Sequence, residues 1–235
     1  MAYARCVFIA SRAIVNYPGD IRGVIFDMDG VLTNTIEFHY QSWQQLADEE
    51  GIPFDRDRNE ALRGRSRRDS LMLILGDRAV SEAQIQDMME RKNRYFLELI
   101  VGMNPSHLLP GVGELLAELR EAGVKTAIAS ASRNVGTVID RLGIADEIDV
   151  VTTVYEVDRP KPAPDVFLYA ARRLNLEPHQ CIAIEDAESG VEAAIAAGMT
   201  VVGLGPVDRV GAANLVLSGL GGVRWRDLLD KLGLV

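Results

Sequence analysis

Short apolar runs recur along the chain at "RGVIFD" (22–27), "VKTAIAS" (124–130), "DVVTT" (149–153), "CIAIED" (181–186) and "TVVGLG" (200–205). Each reads as a short buried strand. Between them the apolar positions switch to helical spacing. "GVGELLAELREAG" sets Leu115, Leu116 and Leu119 on one stripe and ends at Gly123, a residue suited to a helix C-terminus. "PAPDVFLYAARRLNL" and "SGVEAAIAAG" behave the same way, the second closing at Gly198. Strand and helix in alternation predict an α/β protein with a Rossmann-like parallel sheet and helices on both faces. Ligands of such sheets sit at the carboxyl ends of the strands.

Residues 36–104 break the alternation with helical patterns alone. "EFHYQSWQQLADEEG" carries Phe38, Trp43, Leu46 and Ala47, and "SEAQIQDMMERKNRYFLELI" opens with a Ser81/Gln84 capping box. Ile85, Met88, Met89, Phe96, Leu99 and Ile100 then follow at roughly helical spacing, and a stripe of this kind reads as core. The expected organisation is an N-terminal extension over 1–21, a catalytic core over 22–35 and 105–235, and an inserted all-helical cap over 36–104.

With 235 residues, 48% of them hydrophobic, the chain can bury a sizeable core. A formal net charge of -9 argues against a nucleic-acid groove or an anionic membrane surface, so any anionic ligand needs a local pocket. Only Cys6 and Cys181 are present, which suits reduced thiols and a cytoplasmic setting rather than a disulfide framework. In "MAYARCVFIASRAIVNYPGD", Arg12 interrupts the apolar run and no well-defined cleavage site follows. The segment reads as an extension of unassigned purpose.

The strand ends carry the chemistry. Asp27 and Asp29 flank Met28 after the first run and would share one face of an extended chain. Ser130 closes the second, Lys161 in "RPKPAPD" follows the third, and Glu185 and Asp186 close the fourth. Any one alone could be a helix cap or a solvated charge; together they converge on one rim of one sheet. Carboxylates without clustered His or Cys suit a hard divalent cation, and Mg2+ typically binds through few carboxylates plus phosphate. Such a set fits phosphoryl transfer, in which an Asp can itself become an aspartyl phosphate.

"DMDGVLT" resembles the DxDGxxT signature of the haloacid dehalogenase superfamily, and Ser130, Lys161 and "IED" stand as its second, third and fourth motifs over about residues 22–235. The resemblance implies Asp27 as nucleophile and Asp29 as acid and base. It also implies Mg2+ held by the carboxylates of Asp27 and Asp186 and the backbone carbonyl of Asp29, with Glu185 in support. Dehalogenase chemistry is disfavoured, because those members lack the second Asp.

The segments "TNTIEFHYQSW", "LRGRSRRDSL" and "ERKN" resemble the β-phosphoglucomutase branch of that superfamily. This implies conversion of β-glucose 1-phosphate to glucose 6-phosphate through an aspartyl phosphate and β-glucose 1,6-bisphosphate. Arg67 would grip the phosphate that is not being transferred, as a guanidinium suits phosphate well. Ser70 and Lys92 would assist from the cap, and Trp43, Ala131, Arg133 and Asn134 complete the expected substrate surface. His39 would couple cap closure to the position of Asp29, with Thr35 in the same hinge. Three positions differ from the branch pattern: Asn34 replaces an acid, Arg133 a lysine, and Arg65 a small or apolar residue.

Two other readings stay open. One is a sugar-phosphate phosphatase of the same chemistry, with water as acceptor; the other is a binding protein that keeps the fold without chemistry, against which intact Asp27, Asp29, Lys161 and Asp186 argue. "GLGPVDRVGAAN" fails the dinucleotide-binding GxGxxG spacing and reads as a turn after the last core strand. The expected partners are small-molecule sugar phosphates, with no nucleic acid and no membrane, and a monomer is the expected state.

Overall fold

The computed structural model describes residues 21–234. The expected N-terminal extension therefore lies, apart from Ile21, outside the described residues, as does Cys6. Six parallel strands form one sheet: β1 (Gly23–Phe26), β2 (Lys125–Ser130), β3 (Val150–Thr153), β4 (Cys181–Glu185), β5 (Thr200–Leu204) and β6 (Leu215–Leu217), in the order β3-β2-β1-β4-β5-β6. Phe26 of β1 sits in register with Ile128 on one side and Ile184 on the other. Residues alternate between the two faces, as the pleat requires. Val24, Phe26, Ile128, Ile182 and Ile184 pack into a layer with α5 (Val112–Glu121), α6 (Val135–Leu142) and α10 (Trp225–Leu232). Ile25, Ala127, Ala129 and Ala183 pack on the opposite face with α7 (Asp165–Leu174) and α8 (Glu188–Ala196).

Two local expectations change. β6 has no counterpart in the sequence reading, because three half-buried residues make too short a run to register as a strand. "GLGPVDRVGAAN" is more than a turn, since Val207–Val210 forms the short helix α9.

Between β1 and α5 the chain builds α1 (Ile36–Glu50), α2 (Arg56–Glu60), α3 (Arg67–Leu75) and α4 (Glu82–Leu99). The Ser81/Gln84 capping box opens α4 with both reciprocal bonds in place. These helices own a separate apolar cluster that includes Trp43, Leu46, Leu71, Ile74, Ile85 and Met88. Phe96 and Ile100 join the sheet-side cluster instead, so the far end of α4 is anchored on the core. Among the described residues no helix is long and apolar enough to cross a membrane.

The topology places the site. From β1 the strand order runs through β2 and β3 to one edge and through β4, β5 and β6 to the other. The reversal opens a crevice at the carboxyl ends of β1 and β4, under the helical insertion.

Candidate active site

β1 ends at Phe26, so Asp27 and Asp29 do not lie on a regular strand as the alternation suggested. The chain bends at Met28, and Asp29 makes an isolated bridge with Thr33. The sidedness survives the bend: Met28 is buried in the core cluster, while Asp27 and Asp29 both line the crevice.

Asp27 is held from two directions. The Lys161 ammonium donates to its Oδ1 at 2.7 Å, and the Asp29 backbone N–H donates to its Oδ2 at 3.0 Å. Lys161 also donates to Glu185 Oε1 at 2.5 Å and to the Ala129 carbonyl at 2.9 Å. Burial opposes the charged ammonium, but the charges of Asp27 and Glu185 prevail and hold Lys161 protonated, its pKa raised. Glu185 is pushed up to about 8, chiefly by burial and then by the charges of Asp27 and Asp186. Burial, then the Asp27 charge, pushes Asp186 up to about 7. One oxygen each from Asp27, Glu185 and Asp186 can be chosen so that all lie within 4.8 Å of one another, and all three residues are buried.

That trio fits a hard divalent cation. Its donors are all oxygens, and a cation between them would relieve the mutual repulsion that adds to burial in raising the pKa values of Glu185 and Asp186. The cradle is close-fitting, because a Cβ on Gly30 would overlap the Asp186 carboxylate and one on Gly190 would overlap that of Glu185. Asp29 contributes no carboxylate oxygen to this trio.

The Asp29 carboxylate instead faces the hinge. Thr35 donates its hydroxyl to Asp29 Oδ1, and His39 Nε2 lies 3.6 Å from the same oxygen. Lys92, almost fully buried on α4, sits 2.7 Å from His39 Nδ1. With Lys92 as donor, Nδ1 accepts and the ring proton sits on Nε2, facing Asp29. Phe96 stacks on the imidazole with ring centroids 4.3 Å apart, and Lys92 lies 5.0 Å from the Trp43 ring centre. Burial would raise the Asp29 pKa, but His39, Thr35 and Lys92 outweigh it and hold Asp29 ionised. Burial and the neighbouring Arg67 bring Lys92 well below its ordinary range, and burial with Lys92 lowers His39.

The cavity above these groups measures about 80 Å³. Trp43, Arg65, Arg67, Ser70, Lys92, Ala131 and Arg133 line it together with Asp27, Asp29, His39 and Asp186. Asn134 does not line it; its side chain donates at 2.9 Å to the Asn93 side-chain oxygen, which also accepts from Arg67 at 2.7 Å. Ser130 is fully buried, and its hydroxyl accepts from the Ser132 backbone N–H at 3.0 Å. Asn34 lines a separate cleft on the hinge side.

The sequence reading did not single out Arg63, Asn93, Ser132, Tyr155 or Arg209. Arg63 pairs with Asp186 Oδ2 at 3.0 Å and with Glu60, and Arg209 donates to the Asp186 carbonyl at 2.7 Å. Ser132 and Asn93 each adjoin a residue that was named, and Arg63 lies inside the quoted "LRGRSRRDSL", so neighbourhood could have found them. Tyr155 carries no motif. It emerges only in three dimensions, where Arg133 stacks 3.9 Å from its ring centre.

A family model for haloacid dehalogenase-like hydrolases matches residues 21–198. A β-phosphoglucomutase of Bacillus subtilis is 43% identical over 84% of this chain and 89% of its own length. A fructose-1-phosphate phosphatase of Escherichia coli is 30% identical over 77% of this chain and 94% of its own. Among solved structures, a β-phosphoglucomutase from Clostridium difficile superposes with a TM-score of 0.88 at 36% identity, covering 91% of this chain and 97% of that one.

Proposed function

The chain belongs to the haloacid dehalogenase-like hydrolases, and from that footing we propose that it is a β-phosphoglucomutase, with Asp27 as nucleophile and Asp29 as acid and base. The observation that carries this reading is the path from the catalytic carboxylate into the cap, from Asp29 through His39 to Lys92. A phosphatase needs to hold one phosphate over Asp27. A mutase must also hold the second and delay water, and here α3 brings Arg67 and Ser70 to the pocket while α4 brings the lysine that braces His39 beside Asp29.

In this scheme the phosphorylated Asp27 receives β-glucose 1-phosphate. The sugar 6-hydroxyl attacks phosphorus, the bond from phosphorus to the Asp27 oxygen breaks, and the ionised Asp29 takes the hydroxyl proton. The bisphosphate then reverses. Asp27 attacks the phosphorus of the 1-phosphate, that phosphorus separates from O1, and Asp29 returns its proton to O1, giving glucose 6-phosphate and phosphorylated Asp27 again. Ser130 and Lys161 would hold the transferring phosphate, and Arg67, Ser70, Arg133 and Asn134 the other. Mg2+ held by Asp27, Asp186 and the Asp29 carbonyl, with Glu185 in support, would neutralise phosphate charge when bound. The lowered pKa of Asp29 supports the base role as the first one it plays.

The similarity to sugar-phosphate phosphatases keeps hydrolysis as the competing outcome. Phosphorus NMR of the protein with Mg2+, β-glucose 1-phosphate and a catalytic amount of β-glucose 1,6-bisphosphate separates the two. Glucose 6-phosphate without inorganic phosphate is expected. Inorganic phosphate as the main product would make the chain a phosphatase.

A further inference from the structure

A second cleft adjoins the first. It opens between α4 and the core elements α6 and Val154–Glu156, with a volume of about 900 Å³. Arg68, Arg94 and Arg141 line it, while Arg67, Arg133 and Tyr155 border both cavities. Five guanidiniums thus meet only two carboxylates, Glu90 and Glu98, on a chain whose formal net charge is -9. Arg68 is paired with Glu82 at 2.6 Å; the other four have no carboxylate partner among the described residues. The stack on Tyr155 holds Arg133 by its face and leaves its in-plane N–H groups free to meet an anion. Burial, and to a smaller extent the charge of Arg133, lowers the pKa of Arg67.

The partition between the cavities is thin. Arg67, Arg133 and Tyr155 face both sides of it, and a hydrogen-bonded thread from Arg67 through Asn93 to Asn134 joins cap to core there. The inner cavity, about 80 Å³, is far below the roughly 300–1,000 Å³ of ordinary small-molecule pockets. The outer one falls inside that range. A hexose bisphosphate that must present first one phosphate and then the other to Asp27 cannot turn over in the inner cavity; it has to leave. The nearest space rich in unpaired positive charge is the outer cleft.

We propose that this arginine-lined outer cleft is a second binding site for hexose bisphosphate, which holds the intermediate next to the inner pocket while it reverses. The inference rests on the mutase reading for its role and on the cleft itself for its existence.

The test uses the full chain carrying Asp27→Asn, which cannot form the aspartyl phosphate, titrated calorimetrically with glucose 1,6-bisphosphate. Two molecules should bind per chain. Adding Arg94→Gln and Arg141→Gln should weaken the looser of them by about tenfold or more, and Glu98→Gln, which removes an opposing charge, should tighten it. One molecule per chain in every variant overturns the proposal. In the active protein, labelled intermediate lost to an excess of unlabelled bisphosphate during turnover should increase several-fold in the Arg94→Gln, Arg141→Gln variant; unchanged loss overturns the holding role. Two bound molecules in a protein that only releases inorganic phosphate would leave the site standing and remove the mutase reading together with the reversal.

Discussion

Asp27 and Asp29 are two residues apart and chemically alike, yet their surroundings separate them. Asp27 faces an ammonium and two further carboxylates, whereas Asp29 faces a hydroxyl and an imidazole. The proposed division into nucleophile and proton carrier rests on that difference. Asp27→Asn keeps the shape and removes the attacking oxygen's charge. It should therefore abolish phosphoryl transfer by several orders of magnitude while circular dichroism and binding of a sugar phosphate persist; measurable turnover would show that another group attacks. Thr35→Val takes away the hydroxyl that orients Asp29, and His39→Ala takes away its braced neighbour. Each should lower kcat more than it raises KM for the mutase reaction, because the lost contact orients the proton carrier rather than the sugar. A change confined to KM would place Thr35 and His39 in binding instead.

At the level of elements, one helix serves the buried acid trio by what it lacks. Gly190 lies in the first turns of α8, where alanine would ordinarily favour the helix by up to about 1 kcal/mol. A Cβ at this position would strike the buried Glu185 carboxylate, which accepts backbone N–H groups from Asp186 and Ala187 at 3.1 and 3.3 Å. Gly190→Ala should thus destabilise the fold by about 1–3 kcal/mol and reduce Mg2+-dependent activity. Gly113→Ala in α5, whose Cβ would meet nothing within 4 Å, provides the control and should be neutral or slightly stabilising by thermal melting. If both substitutions behave alike, the close approach of α8 to Glu185 is not a constraint. The same comparison explains which elements the sequence could reveal. α4 was legible from its capping box and apolar stripe, both local signals. β6 and α9 were not, because a three-residue strand and a four-residue helix depend on the tertiary surface that receives them rather than on period.

For the whole molecule, the sheet and the four strand-end motifs could be read because each is encoded within a few consecutive residues. The bonds of Arg63 to Asp186 and of Asn93 to Asn134 could not, since each forms only when the helical insertion settles on the core, and the stack of Arg133 on Tyr155 could not because it joins two core segments that share no motif. That settling also determines how the molecule should respond to metal. Asp27, Glu185 and Asp186 crowd one buried corner, and among the described residues their carboxylates pair with Lys161, bound to Asp27 and Glu185, and with Arg63, which bridges to Asp186 from the cap side. A divalent ion that binds the folded corner and not the unfolded chain stabilises the fold by mass action. At a hundred times its dissociation constant the gain is about 2.7 kcal/mol, which for a chain of this size raises Tm by about 5–10 °C. Mg2+ should produce that rise and EDTA should reverse it, both followed by calorimetric melting. Asp186→Asn should abolish most of the rise, because it removes one of the three charges. Asp69→Asn, which alters a carboxylate bonded to Ser66 in the cap, should leave it intact. A full Mg2+ shift in Asp186→Asn would mean that the ion is held elsewhere, and the assignment of this corner as the metal site would fall with it.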